Sequence, residues 1–316
     1  MTTISRRDWL TLTLGAGAAM ALERTDLFAQ SRLLTRAIPS SGEALPVIGL
    51  GSSATFAQVA KQEDVAALRA VLRTLVDQGA TVFDTAPGYG ASEDVAGRIA
   101  SELGLTDKIF WATKLNVARQ GGAADPAAAR AQVETSFSRI KKAKIDLIQV
   151  HNMGDPPVQL RILKELKDQN RVRYIGITTT FEQQYPDLIA TMKNEPLDFV
   201  GIDYAIDNRE VETTILPLAR DRRIGVLVYA PFGRTRLFRR VGDRPLPDWA
   251  GEFDAGTWAQ FFLKFVASHP AVTAVTPATS QAKNMLDNIG GGIGRVPDEA
   301  MRQRMIAFVD ALPSAG

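Results

Sequence analysis

The chain has 316 residues, of which 45% are hydrophobic and 23% are charged, and its formal net charge is +2. This is the composition of a globular protein, and the near-balanced charge gives no reason to expect nucleic acid as a partner. The chain has no cysteine and only two histidines. Disulfides, thiolate metal sites and His-rich metal sites are therefore excluded, and no metal is expected.

The N-terminal segment predicts an export signal rather than part of the fold. Arg6 and Arg7 precede an uncharged run at residues 9–22. That run is shorter than the roughly 20 residues that a membrane-spanning helix needs, so no stable membrane span is expected. The paired arginines resemble a twin-arginine signal. We expect residues 1–29 to be a signal peptide recognised by the twin-arginine export machinery, with a periplasmic or exported protein; a cytoplasmic location is the alternative.

Beyond this leader, short apolar runs alternate with longer amphipathic stretches. The apolar runs predict strands at residues 47–51, 81–84, 109–114, 145–150, 174–177, 199–203, 225–229 and 274–276. The amphipathic stretches predict helices at residues 65–77, 94–103, 126–141, 158–167, 181–192, 210–222, 255–268 and 282–288. Eight strand-and-helix repeats predict an α/β fold, a (β/α)8 TIM barrel over residues 43–314. A long loop at residues 231–254 follows strand seven, and residues 297–312 predict an extra C-terminal helix.

Four side chains with proton-transfer chemistry fall at one end of this predicted barrel. Asp84, Lys114 and His151 end strands two, three and four, and Tyr89 lies in the loop after strand two. The C-terminal ends of barrel strands form the catalytic face, so all four are expected at one mouth. A tyrosine is a weak acid at neutral pH, but an ammonium beside it lowers its pKa. Lys114, held by Asp84, would do this, and His151 would bind the substrate oxygen.

The motifs D-T-A-x-x-Y-G-x-S-E at residues 84–93, T-K at 113–114 and D-L-x-x-V-H at 146–151 together resemble the aldo-keto reductase family. The resemblance runs from about residue 45 to residue 312. It implies reduction of a small-molecule carbonyl compound with a nicotinamide cofactor, usually NADPH, with NAD not excluded. The family's catalytic tetrad corresponds to Asp84, Tyr89, Lys114 and His151, with Tyr89 as the acid.

The same resemblance implies the cofactor-binding residues. Thr178 and Thr179 stand where the family has the Ser and Asn that hold the nicotinamide carboxamide, and Gly201 stands where it has a Gln. The aromatic residue that stacks on the nicotinamide ring corresponds to Tyr229. The pyrophosphate loop corresponds to Pro231, Gly233 and Arg234. The adenosine segment corresponds to Thr279, Ser280, Lys283, Asp287 and Asn288. Ala278 and Asn284 occupy positions that are often basic in the family. We therefore expect a weakened grip on the 2′-phosphate.

Substrate identity and two other function classes stay open from the sequence. Candidate pocket residues are Phe56, Trp111, Asn152, Phe232, Arg234, Phe238 and Trp249. One alternative is a cofactor-binding redox sensor or accessory subunit with little turnover, which the altered carboxamide positions favour. The other is a barrel hydrolase that uses Asp84 and Glu93 as paired carboxylates, which leaves Lys114 and Tyr89 without a role.

Overall fold

The structure is a computed structural model, and it describes residues 32–62, 65–119 and 121–313. The export signal expected at residues 1–29 lies outside this part of the chain. Within the described ranges, no helix combines the length and the apolar character needed to cross a membrane.

The central feature is a parallel barrel of eight strands. A short hairpin of β1 (Thr35–Ala37) and β2 (Ala44–Pro46) precedes it. The barrel strands are β3 (Leu50–Gly51), β4 (Val82–Asp84), β5 (Phe110–Leu115), β6 (Ile145–Val150), β7 (Val172–Thr179), β8 (Phe199–Asp203), β9 (Gly225–Tyr229) and β10 (Ala274–Val275). Each pairs in parallel with the next strand along the chain. Parallel bridges from Ile48 to Val275 and from Gly51 to Ala278 join the first strand to the last. The predicted TIM barrel is confirmed.

Helices lie between the strands and cover the outside of the barrel. They are α1 (Thr55–Val59), α2 (Ala66–Asp77), α3 (Ser92–Glu102), α4 (Pro126–Ile140), α5 (Pro156–Asp168), α6 (Tyr185–Asn194), α7 (Ile215–Asp221), α8 (Arg236–Val241), α9 (Trp258–Ser268), α10 (Ala282–Gly290) and α11 (Glu299–Asp310). Asp125 is the N-cap of helix α4, and its side chain accepts a hydrogen bond from the Ala127 N–H. Pro126 is the first residue of the helix. An acidic cap followed by proline satisfies or removes the unpaired amide groups of a first helical turn.

The end of the barrel opposite the mouth is closed by residues that were not predicted as strands. Strands β1 and β2, of three residues each, pair antiparallel. Ile38 and Leu45 of this hairpin pack with the inward-facing side chains Phe110, Tyr174 and Phe199 in one buried cluster. The hairpin therefore covers this end of the barrel, and the cavity described below lies at the end where the strands finish.

Several predicted segments differ in detail from the structure, and two of them show why. The helix expected at residues 210–222 is a 3₁₀ turn at Glu210–Glu212 followed by α7. Pro217 explains the break, because proline lacks an amide donor and is tolerated only in the first turn of a helix. The expected loop at residues 231–254 contains α8 and a 3₁₀ helix at Asp248–Phe253.

Candidate active site

The four proton-transfer side chains line one cavity of about 510 Å³ at the mouth of the barrel. Asp84 is the last residue of β4, and Lys114 is the last but one of β5. His151 directly follows β6, where the chain leaves the sheet in a 3₁₀ turn. Tyr89 lies in the Gly/Pro loop after β4. Parallel strands that finish at one edge thus bring together residues far apart in the sequence.

Asp84 and Lys114 form a buried ion pair at the base of this cavity. The Lys114 Nζ lies 2.7 Å from Asp84 Oδ1 and 2.9 Å from Oδ2, and it also donates to the Thr85 carbonyl oxygen at 2.9 Å. The Lys114 side chain is 1% exposed and the Asp84 side chain 4%. Burial alone would lower the pKa of Lys114, but the Asp84 carboxylate and the Tyr89 phenol raise it above its ordinary value. Lys114 is therefore a cation at neutral pH.

Tyr89 stands beside this ammonium. The Lys114 Nζ is 5.3 Å from the centroid of the Tyr89 ring. The expected lowering of the Tyr89 pKa by Lys114 is present but does not dominate. Burial, with Asp84 adding to it, raises the pKa of Tyr89 above its ordinary value against the opposing effect of Lys114. Tyr89 therefore keeps its proton at neutral pH and can donate it.

His151 completes the group as a neutral imidazole. Its ring meets the Tyr89 ring edge-on, with 5.8 Å between the centroids. Burial, assisted by the charge of Lys114, lowers the pKa of His151 to about 3. Its Nδ1 is buried without a hydrogen-bond partner. A neutral imidazole has one N–H donor and one acceptor nitrogen, so His151 can hydrogen-bond a ligand oxygen without adding charge.

Glu93 does not share the cavity with Asp84. Its side chain is buried, and Oε1 accepts from Thr113 Oγ1 at 2.6 Å and from Ser136 Oγ at 2.9 Å. Its other oxygen lies 3.4 Å from the Arg139 guanidinium. The carboxylate therefore joins α3, β5 and α4, and it is occupied by protein partners. Across the described ranges, no three His, Asp or Glu side chains are grouped so as to hold a metal ion.

A family model described as the Aldo/keto reductase family matches residues 47–303. The chain belongs to the aldo/keto reductase family. This is a family of oxidoreductases, and the matched range contains every strand of the barrel and all four side chains at its mouth.

Three individual relatives have low sequence identity to this chain, from 22% to 32%. Aldo-keto reductase YhdN of Bacillus subtilis is 32% identical over 210 residues, which cover 63% of this chain and 62% of that protein. Less than two thirds of that relative is therefore matched. An aldo-keto reductase of Bacillus halodurans in its holo form superposes with a TM-score of 0.71 at 22% identity, covering 88% of this chain and 96% of its own. One from Klebsiella pneumoniae, in complex with NADPH, gives 0.69 at 22% identity, covering 87% and 95%. At such identities the structures show a common fold.

The two threonines at the family's carboxamide positions face different surroundings. Thr178 lines the cavity, and its Oγ1 accepts a hydrogen bond from the backbone N–H of Asn152 at 3.1 Å. The Thr179 hydroxyl instead contacts Gln184 and accepts from the Phe181 amide at 3.0 Å. Thr179, the last residue of β7, thus holds the turn that follows the strand, and the cavity is lined by Thr178 and Thr180.

Tyr229, at the family's ring-stacking position, lines the cavity and also points its hydroxyl inward. The hydroxyl is 3.2 Å from Asp84 Oδ2 and 2.9 Å from Gln149 Oε1. Its ring lies against Gly201, where a Cβ would be 2.5 Å from Tyr229 Cε2 and 2.8 Å from Cζ. Sequence reasoning missed Gln149. Its only sequence signal is a glutamine within the otherwise mostly apolar strand β6.

The pyrophosphate-loop residues follow Tyr229. Pro231 and Arg234 line the cavity, whereas Gly233 does not. The loop has left-handed backbone at Gly233 (φ +56°) and Arg234 (φ +51°); glycine adopts this conformation readily, but other residues do so at a cost. The Arg234 guanidinium is 2.8 Å from Asp203 Oδ2, so its charge is already balanced by a carboxylate at the end of β8.

The adenosine-segment residues lie around the start of α10 and are not among the residues that line the cavity. The Thr279 hydroxyl accepts a hydrogen bond from the backbone N–H of Gln281 at 3.1 Å. Ser280 is half-buried, and Lys283 is exposed. Asp287 accepts from Thr257 at 2.9 Å and from Gln260 at 2.8 Å, and Asn288 is buried. These residues form a separate group from the cavity-lining set.

Some of the candidate pocket residues predicted from the sequence line the cavity, and others do not. Phe232 and Asn152 line the cavity. Phe56 and Trp111 are fully buried and both pack edge-on against Phe83 in the core. Phe238 and Trp249 belong to an aromatic cluster built on α9, outside the cavity lining. The cavity wall is therefore less aromatic than the sequence suggested.

Proposed function

We propose that the protein reduces an aldehyde or ketone to an alcohol, with NADPH as the hydride source and Tyr89 as the proton donor. The observation that carries the proposal is the placement of a protonated tyrosine, a buried ammonium and a neutral imidazole around one cavity of about 510 Å³. Cavities of this size suit a small ligand together with the reactive part of a cofactor.

Each side chain has a distinct role in the proposed reaction. The Tyr89 hydroxyl gives its proton to the carbonyl oxygen of the substrate, and the charge left on Tyr89 is stabilised by the Lys114 ammonium beside it. Asp84 keeps that ammonium charged and in place. His151 donates a hydrogen bond to the same carbonyl oxygen through its one N–H group, and its imidazole is neutral because burial and Lys114 lower its pKa to about 3. Preorganised donors of this kind act where charge develops.

The residues around the cavity fit a nicotinamide cofactor. When bound, NADPH supplies the hydride that adds to the carbonyl carbon. The Tyr229 ring, Thr178 and the loop that carries Pro231 and Arg234 border the same cavity as Tyr89. Thr279, Ser280 and Lys283 at the start of α10, with Asp287 and Asn288 farther along it, would take the adenosine end. The NADPH complex of the Klebsiella pneumoniae protein supports this choice of cofactor.

Variants at three positions test the proposal. Reduction of an aldehyde panel, beginning with 4-nitrobenzaldehyde, is followed by the loss of NADPH absorbance. Tyr89→Phe is expected to reduce kcat by about 10²- to 10⁴-fold, the usual contribution of general acid catalysis. Tyr174→Phe, which removes a hydroxyl bonded to Ser41 and Glu43 at the opposite end of the barrel, is the matched control. An unaltered rate in Tyr89→Phe would overturn the assignment. Loss of aldehyde reduction in Tyr89→Phe, with the reduction retained in Glu93→Gln, would rule out the barrel hydrolase that uses Asp84 and Glu93.

A redox sensor with little turnover is the second candidate, and the glycine at position 201 favours it, because the family's carboxamide-holding side chain is absent there. Enzyme mixed with one equivalent of NADPH and excess aldehyde separates the two. Repeated turnover after further NADPH additions supports an enzyme. A single oxidation followed by no further turnover supports a sensor.

We also propose that residues 1–29 direct export to the periplasm. The support is the Arg6–Arg7 pair before a short apolar run. Arg6→Lys combined with Arg7→Lys keeps the positive charge while removing the arginine pair. Fractionation of cells that express the full chain should find the wild type in the periplasm and this variant in the cytoplasm. A cytoplasmic wild type would contradict the proposal.

A further inference from the structure

The Tyr229 hydroxyl lies within the polar network under the proposed proton donor. It is 3.2 Å from Asp84 Oδ2 and 2.9 Å from Gln149 Oε1. The Lys114 Nζ is also 5.1 Å from the centroid of the Tyr229 ring. A ring placed only to stack on a flat ligand has no need of a hydroxyl that reaches the buried ion pair. The contact with Asp84 therefore points to a second role for Tyr229.

Gly201 is the residue that makes this placement possible. Because glycine has no side chain, β8 leaves room here for the Tyr229 ring. A Cβ at position 201 would lie 2.5 Å from Tyr229 Cε2 and 2.5 Å from its hydroxyl oxygen. Such distances are far below van der Waals contact. Any larger residue at position 201 would thus force the Tyr229 ring out of its position. Gly201 and the inward hydroxyl of Tyr229 are two parts of one arrangement.

Donor and acceptor counting favours donation from Tyr229 to Asp84. A phenol has one proton, yet the hydroxyl faces a carboxylate oxygen and an amide oxygen. The Gln149 Nε2 is buried without a partner. A half-turn of the Gln149 amide, whose oxygen and nitrogen are nearly interchangeable in shape, directs Nε2 to the phenol oxygen. The phenol proton is then free for Asp84, and the hydrogen bonds run from Gln149 through Tyr229 to Asp84.

We propose that Tyr229 is a positioning residue whose hydroxyl holds the Asp84 carboxylate ionised and aligned on Lys114, and thereby supports proton donation by Tyr89. This rests on the proposed function. The other ionisable groups that line the cavity with Asp84 and Tyr229 are Lys114 on β5, Tyr89 in the loop after β4, His151 after β6, and Arg234 in the loop after β9. Burial, Asp84 and Tyr89 raise the pKa of Tyr229 well above its ordinary value, so its proton is retained as a donor.

The sign of the expected effect follows from Asp84. Burial raises the pKa of Asp84, while Lys114 and the hydrogen bond from Tyr229 oppose the rise. Removing the hydroxyl takes away one of the opposing effects, so the pKa of Asp84 rises further. Activity that needs ionised Asp84 is then lost at a higher pH on acidification. A hydrogen bond to a charged group corresponds to a shift of about one pH unit.

Tyr229→Phe is the direct test, because it keeps the ring and removes only the hydroxyl. We expect the acid limb of the pH profile of kcat/KM for aldehyde reduction, where activity is lost on acidification, to shift to higher pH by about one unit. The Kd for NADPH should stay within about twofold of the wild-type value. Tyr174→Phe is the matched buried control and should leave the limb in place. An unshifted acid limb in Tyr229→Phe overturns the inference.

Gly201→Ala tests the same arrangement from the other side. The added Cβ should displace the Tyr229 ring, so this variant should shift the acid limb in the same direction and also raise the Kd for NADPH. A normal acid limb in Gly201→Ala would contradict the inference. Far-ultraviolet circular dichroism and the Tm establish that each variant is folded. An active Tyr89→Phe would instead refute the proposed function, so the two failures are distinguishable.

Discussion

Replacing Asp84 by leucine should destabilise the protein strongly, because Lys114 would be left as a buried cation. In the wild type the Lys114 side chain is 1% exposed and the Asp84 side chain 4%. Without Asp84, the Thr85 carbonyl at 2.9 Å is the remaining strong acceptor for Nζ. Breaking a buried ion pair from one side costs about 3–5 kcal/mol. This is a large part of the roughly 5–15 kcal/mol by which domains are stable.

The loss should depend on pH in a direction that identifies Lys114 as its cause. Once Asp84 is absent, burial lowers the pKa of Lys114 in the folded state below its value in the unfolded chain. The unfolded state then binds more protons, so stability rises as the pH rises. Urea unfolding at neutral pH and again near pH 10, about the ordinary pKa of lysine, should therefore show the deficit of Asp84→Leu shrinking.

The double variant Asp84→Leu with Lys114→Met completes the test. Buried ion pairs replaced by apolar residues of similar volume are often neutral or stabilising. We therefore expect the double variant to lie within about 1–2 kcal/mol of the wild type and to be inactive. A double variant as unstable as Asp84→Leu alone, or a deficit independent of pH, would refute the reasoning that the unpaired charge of Lys114 causes the loss of stability.

Three further predictions concern other parts of the molecule. Because burial and Lys114 lower the pKa of His151 to about 3, kcat/KM should show no imidazole titration between about pH 5 and pH 8; an inflection there that disappears in His151→Asn would contradict this. Arg302→Leu removes donors to Phe265 O at 2.5 Å and to Tyr204 at 2.9 Å, so urea unfolding should show a loss of about 2–4 kcal/mol with kcat unchanged; a loss below about 1 kcal/mol would refute it. With Lys283 exposed and no basic residue at position 278 or 284, the ratio of Kd for NADH and NADPH should stay below about a thousandfold; a larger ratio in fluorescence titration would contradict it.

The barrel could be predicted because its strands are short apolar runs that end in polar or turn-forming residues. Asp84 and His151 mark such ends directly. The hairpin at residues 35–46 could not be predicted in this way, because β1 consists of Thr35, Arg36 and Ala37 and is not an apolar run. The break within residues 210–222 depends on Pro217, whose effect the helical periodicity concealed.

The site was predictable only as far as strand ends determine it. The order of Asp84, Lys114 and His151 on neighbouring strands brings them together in any parallel barrel. Tyr229 on β9 hydrogen-bonds to Gln149 on β6, and its ring lies against Gly201 on β8. No spacing in the sequence indicates these contacts across the barrel. The hydrogen bond between Thr179 and Gln184, and the pairing of Arg234 with Asp203, likewise depend on tertiary packing.

The central claim is that Tyr89 donates the proton, and single-turnover oxidation of bound NADPH by an aldehyde tests it most directly. The wild type and Tyr89→Phe are each saturated with NADPH, whose Kd is measured separately and should agree within about twofold. The account predicts that the rate of NADPH oxidation in Tyr89→Phe is lower by about 10²- to 10⁴-fold. Equal rates in the two proteins, with equal NADPH occupancy, would contradict it.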